Sequence, residues 1–230
     1  MERGLYIAAS GMLAEQIRQE QISNDLANAS TPGYKAERSS QRSFGQLLLS
    51  NSLTSAGVGP SGTAVAIDRI TTDFTPQPAR ETGEPLDLAI AGEGFFAVRT
   101  DRGTRYTRNG QFTVSPQGLL STPAGDPVLG RGGRPIAVGP DGRVDPAAVD
   151  VVLLRDARKE GDSLISGTPG GTGIRGQVRA GALEGSGADP ARAMVDMIAS
   201  MRSFEAGQRV ITTIDSTLEK AANRVGSYTS

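Results

Sequence analysis

Apolar residues recur at heptad spacing along the C-terminal part of the chain, from Asp189 to Val225. Heptad spacing places them on one side of an α-helix. Asp189-Pro190 is a typical helix start, because Asp caps free N–H groups and Pro suits the first turn. Such a helix spans roughly 55 Å, and its narrow apolar seam needs a partner helix. The seam consists of Met194, Met197, Met201, Phe204, Ile211, Leu218, Ala222 and Val225, interrupted by polar Gln208 and Asp215.

A second amphipathic helix is predicted for residues 3–28. Gly4 and Gly11 each lower its intrinsic stability by about 1 kcal/mol relative to Ala, so the helix should depend on packing against another element. The two terminal helices can therefore pair with each other or with those of neighbouring copies. The apolar residues of the N-terminal seam are Leu5, Ala8, Met12, Ile22 and Leu26.

The apolar run from Gly4 to Ala14 has the length of the apolar core of a signal peptide. Glu2 offsets Arg3, however, and the amphipathic pattern continues beyond the run. A helix of the mature chain is therefore favoured over a cleaved signal. No stretch approaches the roughly 18 apolar residues of a membrane span, so we expect no membrane insertion.

Residues 36–80 lack a clear hydrophobic period and are interpreted as an extended, loop-rich linker. Residues 51–63 are rich in Gly, Ser and Thr, which favours a loop. Gly57, Gly59 and Gly62 match the G-x-G-x-x-G pattern, but no helix follows them, so a dinucleotide site is disfavoured. Extended segments are expected at residues 65–69 and 71–75.

Between residues 81 and 185 the hydrophobic period changes to two, and turn residues recur. Many short strands with regular turns predict an antiparallel β domain. Asn109-Gly110 predicts a hairpin between strands at 104–108 and 111–114, because both residues tolerate positive φ. The expected core combines small aliphatic residues with Phe95, Phe96, Tyr106 and Phe112. Further strands are expected at residues 86–91, 94–99, 119–121, 127–129, 135–138 and 149–154.

The composition excludes several kinds of chemistry. The 230 residues contain neither Cys nor His, which rules out Cys/His zinc sites, cysteine nucleophiles and Ser-His-Asp catalysis. The net charge of −1 gives no overall field to attract nucleic acid. We therefore expect no catalytic residue, metal, cofactor or nucleic-acid partner. Six arginines of the middle region are interpreted as solvated residues of strand faces and turns: Arg99, Arg102, Arg105, Arg108, Arg131 and Arg134.

Five segments together resemble one known family. The sequence from Ser23 to Asn28, followed by that from Thr31 to Lys35, is similar to the N-terminal signature of bacterial flagellar rod and hook proteins. Four further segments, at residues 3–12, 89–98, 106–112 and 194–218, also resemble the family, in the same order along the chain. The signature residues are Asn24, Leu26, Ala27, Asn28, Thr31, Pro32, Gly33, Tyr34, Gly94, Phe95 and Phe96.

The resemblance implies an α+β fold, in which long N- and C-terminal α-helices pair as an antiparallel coiled coil and the central part of the chain forms an all-β antiparallel domain. Residues 1–35 and 186–230 would form the helices of the axial core, residues 36–80 the linker and residues 81–185 the β domain. The axial polymerisation interface would comprise Leu5, Ala8, Met12, Ile22, Leu26, Met194, Met197, Met201, Phe204, Ile211, Leu218 and Val225.

The resemblance also implies a function and a location. The chain would be a structural subunit of the flagellar basal-body rod, the hollow drive shaft between motor and hook. It would leave the cytoplasm unfolded through the flagellar type III export apparatus, without a cleaved signal. It would then polymerise with its own copies and with other rod and hook proteins. The opening residues most resemble the proximal rod class.

Three alternatives remain open from the sequence. A distal rod or hook-type protein of the same family keeps the mechanism and changes the position. A secreted β-domain adhesin with a coiled-coil stalk would form a stable dimer or trimer in dilute solution. A glycoside hydrolase would need paired carboxylates beside a pocket, whereas the carboxylates here are scattered through turns.

Overall fold

The computed structural model describes the backbone of residues 2–50, 57–170 and 173–226. Side chains are described for residues 4–40, 42, 65, 67–170 and 173–223. The chain divides into two compact units. Unit 1 contains residues 1–26, 37–71 and 190–230, and unit 2 contains residues 27–36 and 72–189.

Two helices dominate unit 1. Helix α1 covers Glu2–Ala27 and helix α2 covers Pro190–Gly226, a length of 37 residues. Both predicted helices are therefore confirmed, and Pro190 is the first helical residue of α2, as expected for a ring that presets φ. Neither helix in the described part of the chain is long and apolar enough to cross a membrane.

The helices of unit 1 lie antiparallel. A Cβ added to Gly4, near the start of α1, would lie 3.2 Å from Ile214 in the last part of α2. Further along α1, Met12 lies beside Gly207. The start of α1 thus meets the end of α2, and the helices pack together along opposite directions. Each helix therefore covers part of the apolar seam of the other.

Two long strands complete unit 1. Strand β1 covers Glu37–Ser50 and strand β2 covers Gly57–Thr72, and they pair as a two-stranded sheet. The predicted loop at 51–63 is therefore wrong from Gly57 onward, while its first residues lie outside the described part. The Gly- and Ser-rich composition favoured a loop, but pairing with β1 satisfies the backbone and overrides local preference. The hydroxyl of Thr71 donates to the carbonyl of Arg38 across this pair.

Unit 2 is built from short antiparallel strands and one 3₁₀ helix at Pro146–Ala148. Its largest sheet has the order β10-β5-β6-β12-β11, with β9 also paired to β5. Three smaller sheets pair β13 with β4, β14 with β3, and β7 with β8. The strands are β3 Ala79–Glu81, β4 Leu88–Ala91, β5 Phe95–Thr100, β6 Gly103–Thr107, β7 Thr113–Val114, β8 Leu120–Ser121, β9 Val128–Leu129, β10 Val151–Val152, β11 Leu154–Gly161, β12 Leu164–Pro169, β13 Gln177–Ala180 and β14 Ala182–Glu184.

The predicted hairpin at Asn109-Gly110 is wrong. Strand β6 pairs with β5 and β12, and β7 pairs with β8 instead. Gly110 serves a different purpose, because a Cβ there would overlap the carbonyl of Leu88. The Leu88 N–H donates to the Gly110 carbonyl at 3.0 Å. The glycine therefore permits close backbone packing rather than a tight turn.

The expected aromatic core of unit 2 is confirmed. Phe96 and Phe112 pack edge to face at 5.3 Å between ring centroids, within a cluster of aliphatic side chains. Phe95 and Tyr106 lie in a second cluster on the other side of β5. Alternate residues of one strand thus feed two clusters, as the period of two requires.

Candidate assembly surface and the buried junction

The predicted interface residues of α1 all lie at intermediate burial. This applies to Leu5, Ala8, Met12, Ile22 and Leu26. Ala14 of α1 is buried, although it was not among the predicted interface residues. Its methyl group is small, so a neighbouring element can approach the helix closely at this point.

The predicted residues of α2 fall into two groups. Met197, Phe204 and Ile211 are half-buried, whereas Met194 and Met201 are each 51% exposed. Leu218 is 36% exposed, and the side chain of Val225 lies outside the described residues. The heptad seam is therefore only partly covered within one chain.

The covered face of α2 alternates large and small residues. Ser200 is completely buried, and Gly207 lies against Met12 of α1. The residues of this face are spaced alternately by three and four positions, as in helix packing with a shallow crossing angle. The face consists of Met197, Ser200, Phe204, Gly207, Ile211 and Ile214.

Among the exposed large apolar residues of α2, Val210 and Leu218 lie further along the helix, whereas four lie near its start. We call these four the outer patch. It comprises Met194, Val195, Ile198 and Met201, which are 51%, 66%, 54% and 51% exposed. Three of them recur at a spacing of four and three residues, so they share one face of the helix. On α1, the side chains of Tyr6 and Leu13 are also exposed. Contiguous exposed apolar residues mark interaction surfaces.

The second half of the first signature segment, from Thr31 to Lys35, lies in unit 2, where Gly33 has φ +65°. A Cβ at this position would overlap the backbone of Arg108. The Gly33 N–H donates to the Glu184 carbonyl at 3.0 Å. Glycine is required here both for its conformation and for its lack of a side chain. Two signature blocks, around residues 33 and 108, are therefore in direct contact.

The segments that follow α1 and precede α2 lie side by side in unit 2. The Gly187 N–H donates to the Tyr34 carbonyl at 2.8 Å, and the Ser186 hydroxyl donates to the Asn28 carbonyl at 2.9 Å. Thr31 and Pro32 form the turn between these two contacts and lie at intermediate burial. Unit 2 thus holds both points from which the chain continues into the terminal helices.

The remaining signature residues divide between core and surface. Phe95 and Phe96 are buried, and Gly94 has φ +119° with Val151 packed against it. In α1, Leu26 is half-buried, whereas Asn24 and Ala27 are exposed.

A buried ion cluster, which we call the charge cluster, joins three segments of unit 2. The Glu184 carboxylate accepts from Lys35 Nζ at 2.7 Å and from Arg108 Nη1 at 2.8 Å. All three side chains are at most 2% exposed. Burial lowers the pKa of Lys35, although the bond to Glu184 acts in the opposite direction. The interpretation of Arg108 as a solvated residue is therefore wrong.

Further polar contacts surround the charge cluster. Lys35 Nζ also donates to the Thr75 carbonyl at 2.7 Å, and Arg108 Nη2 donates to the Gly92 carbonyl at 2.7 Å. The Arg108 guanidinium lies 5.3 Å from the centre of the Phe95 ring. These contacts satisfy most donors of the two cations, as buried charges require.

No pattern in the sequence indicated that Lys35, Arg108 and Glu184 lie together. Lys35 and Glu184 are 149 positions apart, and Arg108 and Glu184 are 76 apart. A single sequence gives no spacing pattern that links residues so distant. The one local signal was the position of the charged Glu184 directly after two apolar residues of a short strand. Alternation along a strand does not decide whether a side chain at this position is buried or exposed.

Comparisons with known families match three parts of the chain. Residues 5–35 match the family described as "Flagella basal body rod protein". Residues 89–152 match "Flagellar hook protein FlgE/F/G D1 domain", and residues 179–224 match "Flagellar basal body rod FlgEFG protein C-terminal". The first and last matches include the two terminal helices, and the middle match lies within unit 2.

Similar proteins extend over almost the whole chain. The flagellar hook-basal body complex protein FlhO of Bacillus subtilis is 31% identical, covering 98% of this chain and 99% of its own length. The flagellar basal-body rod protein FlgF of Caulobacter vibrioides is also 31% identical, with the same coverage. FlgG, a flagellar basal-body rod protein of Bacillus subtilis, is 29% identical over 97% of this chain and 99% of its own length.

These relatives are structural proteins of the flagellum, and their names denote no enzyme. The matches follow the order of the signature segments, from α1 through the β strands to α2. The chain therefore belongs to the flagellar basal-body rod protein family, is of the proximal rod type, and is a structural subunit of the bacterial flagellar basal body.

Proposed function

We propose that the chain builds the rod by polymerising through its terminal helices, with the outer patch as the contact to neighbouring copies. The observation that carries the proposal is the exposure of Met194, Val195, Ile198 and Met201 on a helix whose other face is already covered by α1. Complete burial of an exposed apolar side chain contributes roughly 1.5–3 kcal/mol, so covering the exposed half of each of these contributes about half as much. A neighbouring subunit that covers the patch would therefore gain a substantial part of the assembly energy.

The predicted interface residues take two roles in this proposal. Met197, Phe204 and Ile211 pack α2 against α1 within a chain, together with Leu5, Ala8 and Met12. Met194 and Met201 make contacts between chains, joined by Leu218. Ile22 and Leu26 continue these contacts toward the end of α1. The alternate spacing of three and four on the covered face supports an antiparallel coiled coil.

In this proposal the parts of the chain take different places in the rod. Residues 1–35 and 186–230 form the axial core, with the helices lining the inside of a hollow shaft. Residues 81–185 form the β domain, and residues 36–80, which contain strands β1 and β2, are the segment between the first helix and this domain. The neighbours are further copies and other rod and hook proteins, which the names of the relatives support. Neither nucleic acid nor a membrane takes part in the assembly.

The subunit must also reach the growing tip of the rod. The chain passes unfolded through the flagellar type III export apparatus, without a cleaved signal, and folds at the growing tip. A preformed neighbour there offers the apolar surface that offsets the entropy of ordering α1 and α2, about 1–2 kcal/mol per residue for the backbone. Assembly is therefore templated at the tip.

A complementation experiment tests this function. The gene is replaced by Met201→Asp or, as the matched apolar control, Met201→Leu. Met201 is half-exposed, so both variants should retain the wild-type unfolding transition as purified chains. The Asp variant should produce truncated rods in electron micrographs and non-motile cells, because a charge in a buried contact is costly. Complete hooks and filaments with Met201→Asp would refute the role of the outer patch.

A further inference from the structure

The charge cluster has an unusual charge balance. Lys35 and Arg108 are two cations, and both of their ion pairs in the described part of the chain end on Glu184. One carboxylate oxygen accepts from Lys35 and from the Gln77 N–H, and the other accepts from Arg108. A single carboxylate therefore serves two buried cations.

Loss of this carboxylate would leave both cations poorly compensated. Lys35 would retain the Thr75 carbonyl and the attraction of Asp73. Arg108 would retain the carbonyls of Ile90 and Gly92, which carry no formal charge. Desolvation of a charge without its partner costs several kcal/mol, so the buried arrangement is unfavourable until Glu184 is in place.

The carboxylate also comes from the last strand of unit 2. Strand β14, Ala182–Glu184, pairs with β3, and its final residue carries the charge. The backbone carbonyl of Glu184 accepts from the Gly33 N–H, and the N–H of Gly187, three positions after β14, donates to the Tyr34 carbonyl. Docking of β14 thus delivers the counter-ion and the backbone contacts together.

We propose that Glu184 is the closing residue of unit 2. Lys35 and Arg108 hold the unit open until β14 brings the carboxylate. The segment after α1, the sheet core and the segment before α2 then close in one cooperative step. The mechanism uses only contacts within unit 2, so it stands or falls independently of the proposed rod assembly.

A charge cycle on the full-length chain tests this mechanism. Glu184→Gln removes the charge with little change of shape and should lower the folding equilibrium constant at least about a hundredfold. Lys35→Met leaves one buried cation, Arg108, with one carboxylate. It should therefore lower the folding equilibrium constant less than Glu184→Gln does. The double variant, with both Lys35→Met and Glu184→Gln, contains one uncompensated cation fewer than Glu184→Gln alone. Its folding equilibrium constant should therefore be at least about tenfold higher than that of Glu184→Gln. Glu160→Gln, at a solvent-accessible ion pair with Arg105, is the control.

The cycle distinguishes charge compensation from packing. Unfolding is followed by near-ultraviolet circular dichroism, since Tyr34 and Tyr106 are buried in unit 2. If Glu184→Gln is unfolded in buffer, all variants are measured in the same stabilising osmolyte. A double variant that recovers less than tenfold would overturn the proposal, because Glu184 would then act as an ordinary packing and hydrogen-bonding residue.

Hydrogen exchange tests the single closing step. The amides of Gly33, Leu88 and Gly187 donate to carbonyls in three different parts of unit 2. In Glu184→Gln all three should exchange faster by the same factor, at least about a hundredfold. Wild-type protection of Leu88 beside fast exchange of Gly33 and Gly187 would contradict the proposal, because β14 would then be a local strap on an independently closed core.

Discussion

The Ser200 hydroxyl donates to the Glu15 carboxylate at 2.6 Å and to the Glu15 backbone carbonyl at 3.3 Å. Ser200 is completely buried, in the middle of the contact between α2 and α1. A small hydroxyl at this position allows the helices to approach closely and satisfies its own donor across the contact.

Enlarging this residue should separate the helices. Ser200→Leu adds volume where no space exists and removes a buried hydrogen bond, at an expected cost of about 1–3 kcal/mol to the helix pairing. In a stabilising osmolyte, which favours the packed helices in the purified chain, far-ultraviolet circular dichroism should show helical signal lost at lower temperature than in the wild type. The control is Ser203→Leu, because Ser203 is exposed on the same helix. Equal melting of the two variants would show that Ser200 is not at a tight contact.

Replacement of Gly33 should destabilise unit 2. Gly33→Ala places a Cβ on the backbone of Arg108 and forces a non-glycine residue into φ +65°. The conformational part alone costs about 1–3 kcal/mol, and the overlap adds to it. Gly83→Ala is a matched control, since Gly83 has φ +79° with nothing within 4 Å of an added Cβ. Urea unfolding should therefore show a larger decrease in midpoint for Gly33→Ala.

Local periodicity predicted the two helices and the antiparallel character of the middle. It could not predict the register of the helix contact. Hydrophobicity selects Met201 for the seam, but close approach selects Ser200, one position before it. In the same way, Gly207 lies one position before the seam position of Gln208. Two packed helices must cover their large apolar residues, and they need small residues where their axes come closest. A hydrophobic pattern reveals only the large apolar residues.

Non-local contacts explain the other differences. The β1–β2 ribbon depends on pairing between segments, so its Gly-rich part resembles a loop when read alone. Gly110 is set by the neighbouring Leu88 backbone, which lies more than twenty positions away in sequence. The charge cluster joins Lys35 to a carboxylate 149 positions later. Each feature was visible in the sequence as a residue, but its partner was not.

The lowered pKa of Lys35 predicts a defined pH dependence. Burial makes the ammonium less favourable in the folded chain than in the unfolded chain, whose value is near 10.5. Between the folded pKa and 10.5 the unfolded state binds more protons, so the stability contributed by this residue rises with pH. Below that window the contribution is constant.

A comparison with Lys35→Met isolates this dependence. The free energy of unfolding of both chains is measured from pH 7 to 10.5 by urea denaturation. The contributions of all other titrating groups cancel in the difference between wild type and variant, taken as wild type minus variant. This difference in the free energy of unfolding should increase as the pH approaches 10.5, because Lys35 loses its proton more easily in the folded chain. A difference that decreases over the same range would mean that the attraction of Glu184 outweighs burial.

The two units should differ in local stability. Among the described side chains of α2, Ser200 is fully buried and most others are exposed, whereas unit 2 contains two buried apolar clusters. Elements with few buried contacts open more often than a packed core. In a dilute purified chain, amides of residues 194–223 should therefore exchange much faster than those of β5 and β6.

Assembly should reverse this difference. Once neighbouring copies cover the outer patch, opening of α2 requires loss of those contacts as well, so exchange in residues 194–223 should slow by orders of magnitude. The comparison uses the same peptides from purified chain and from isolated basal bodies, with β5 as the internal reference. Strong protection of α2 already present in the dilute chain would contradict templated ordering, because the helices would then be stable before any neighbour is available.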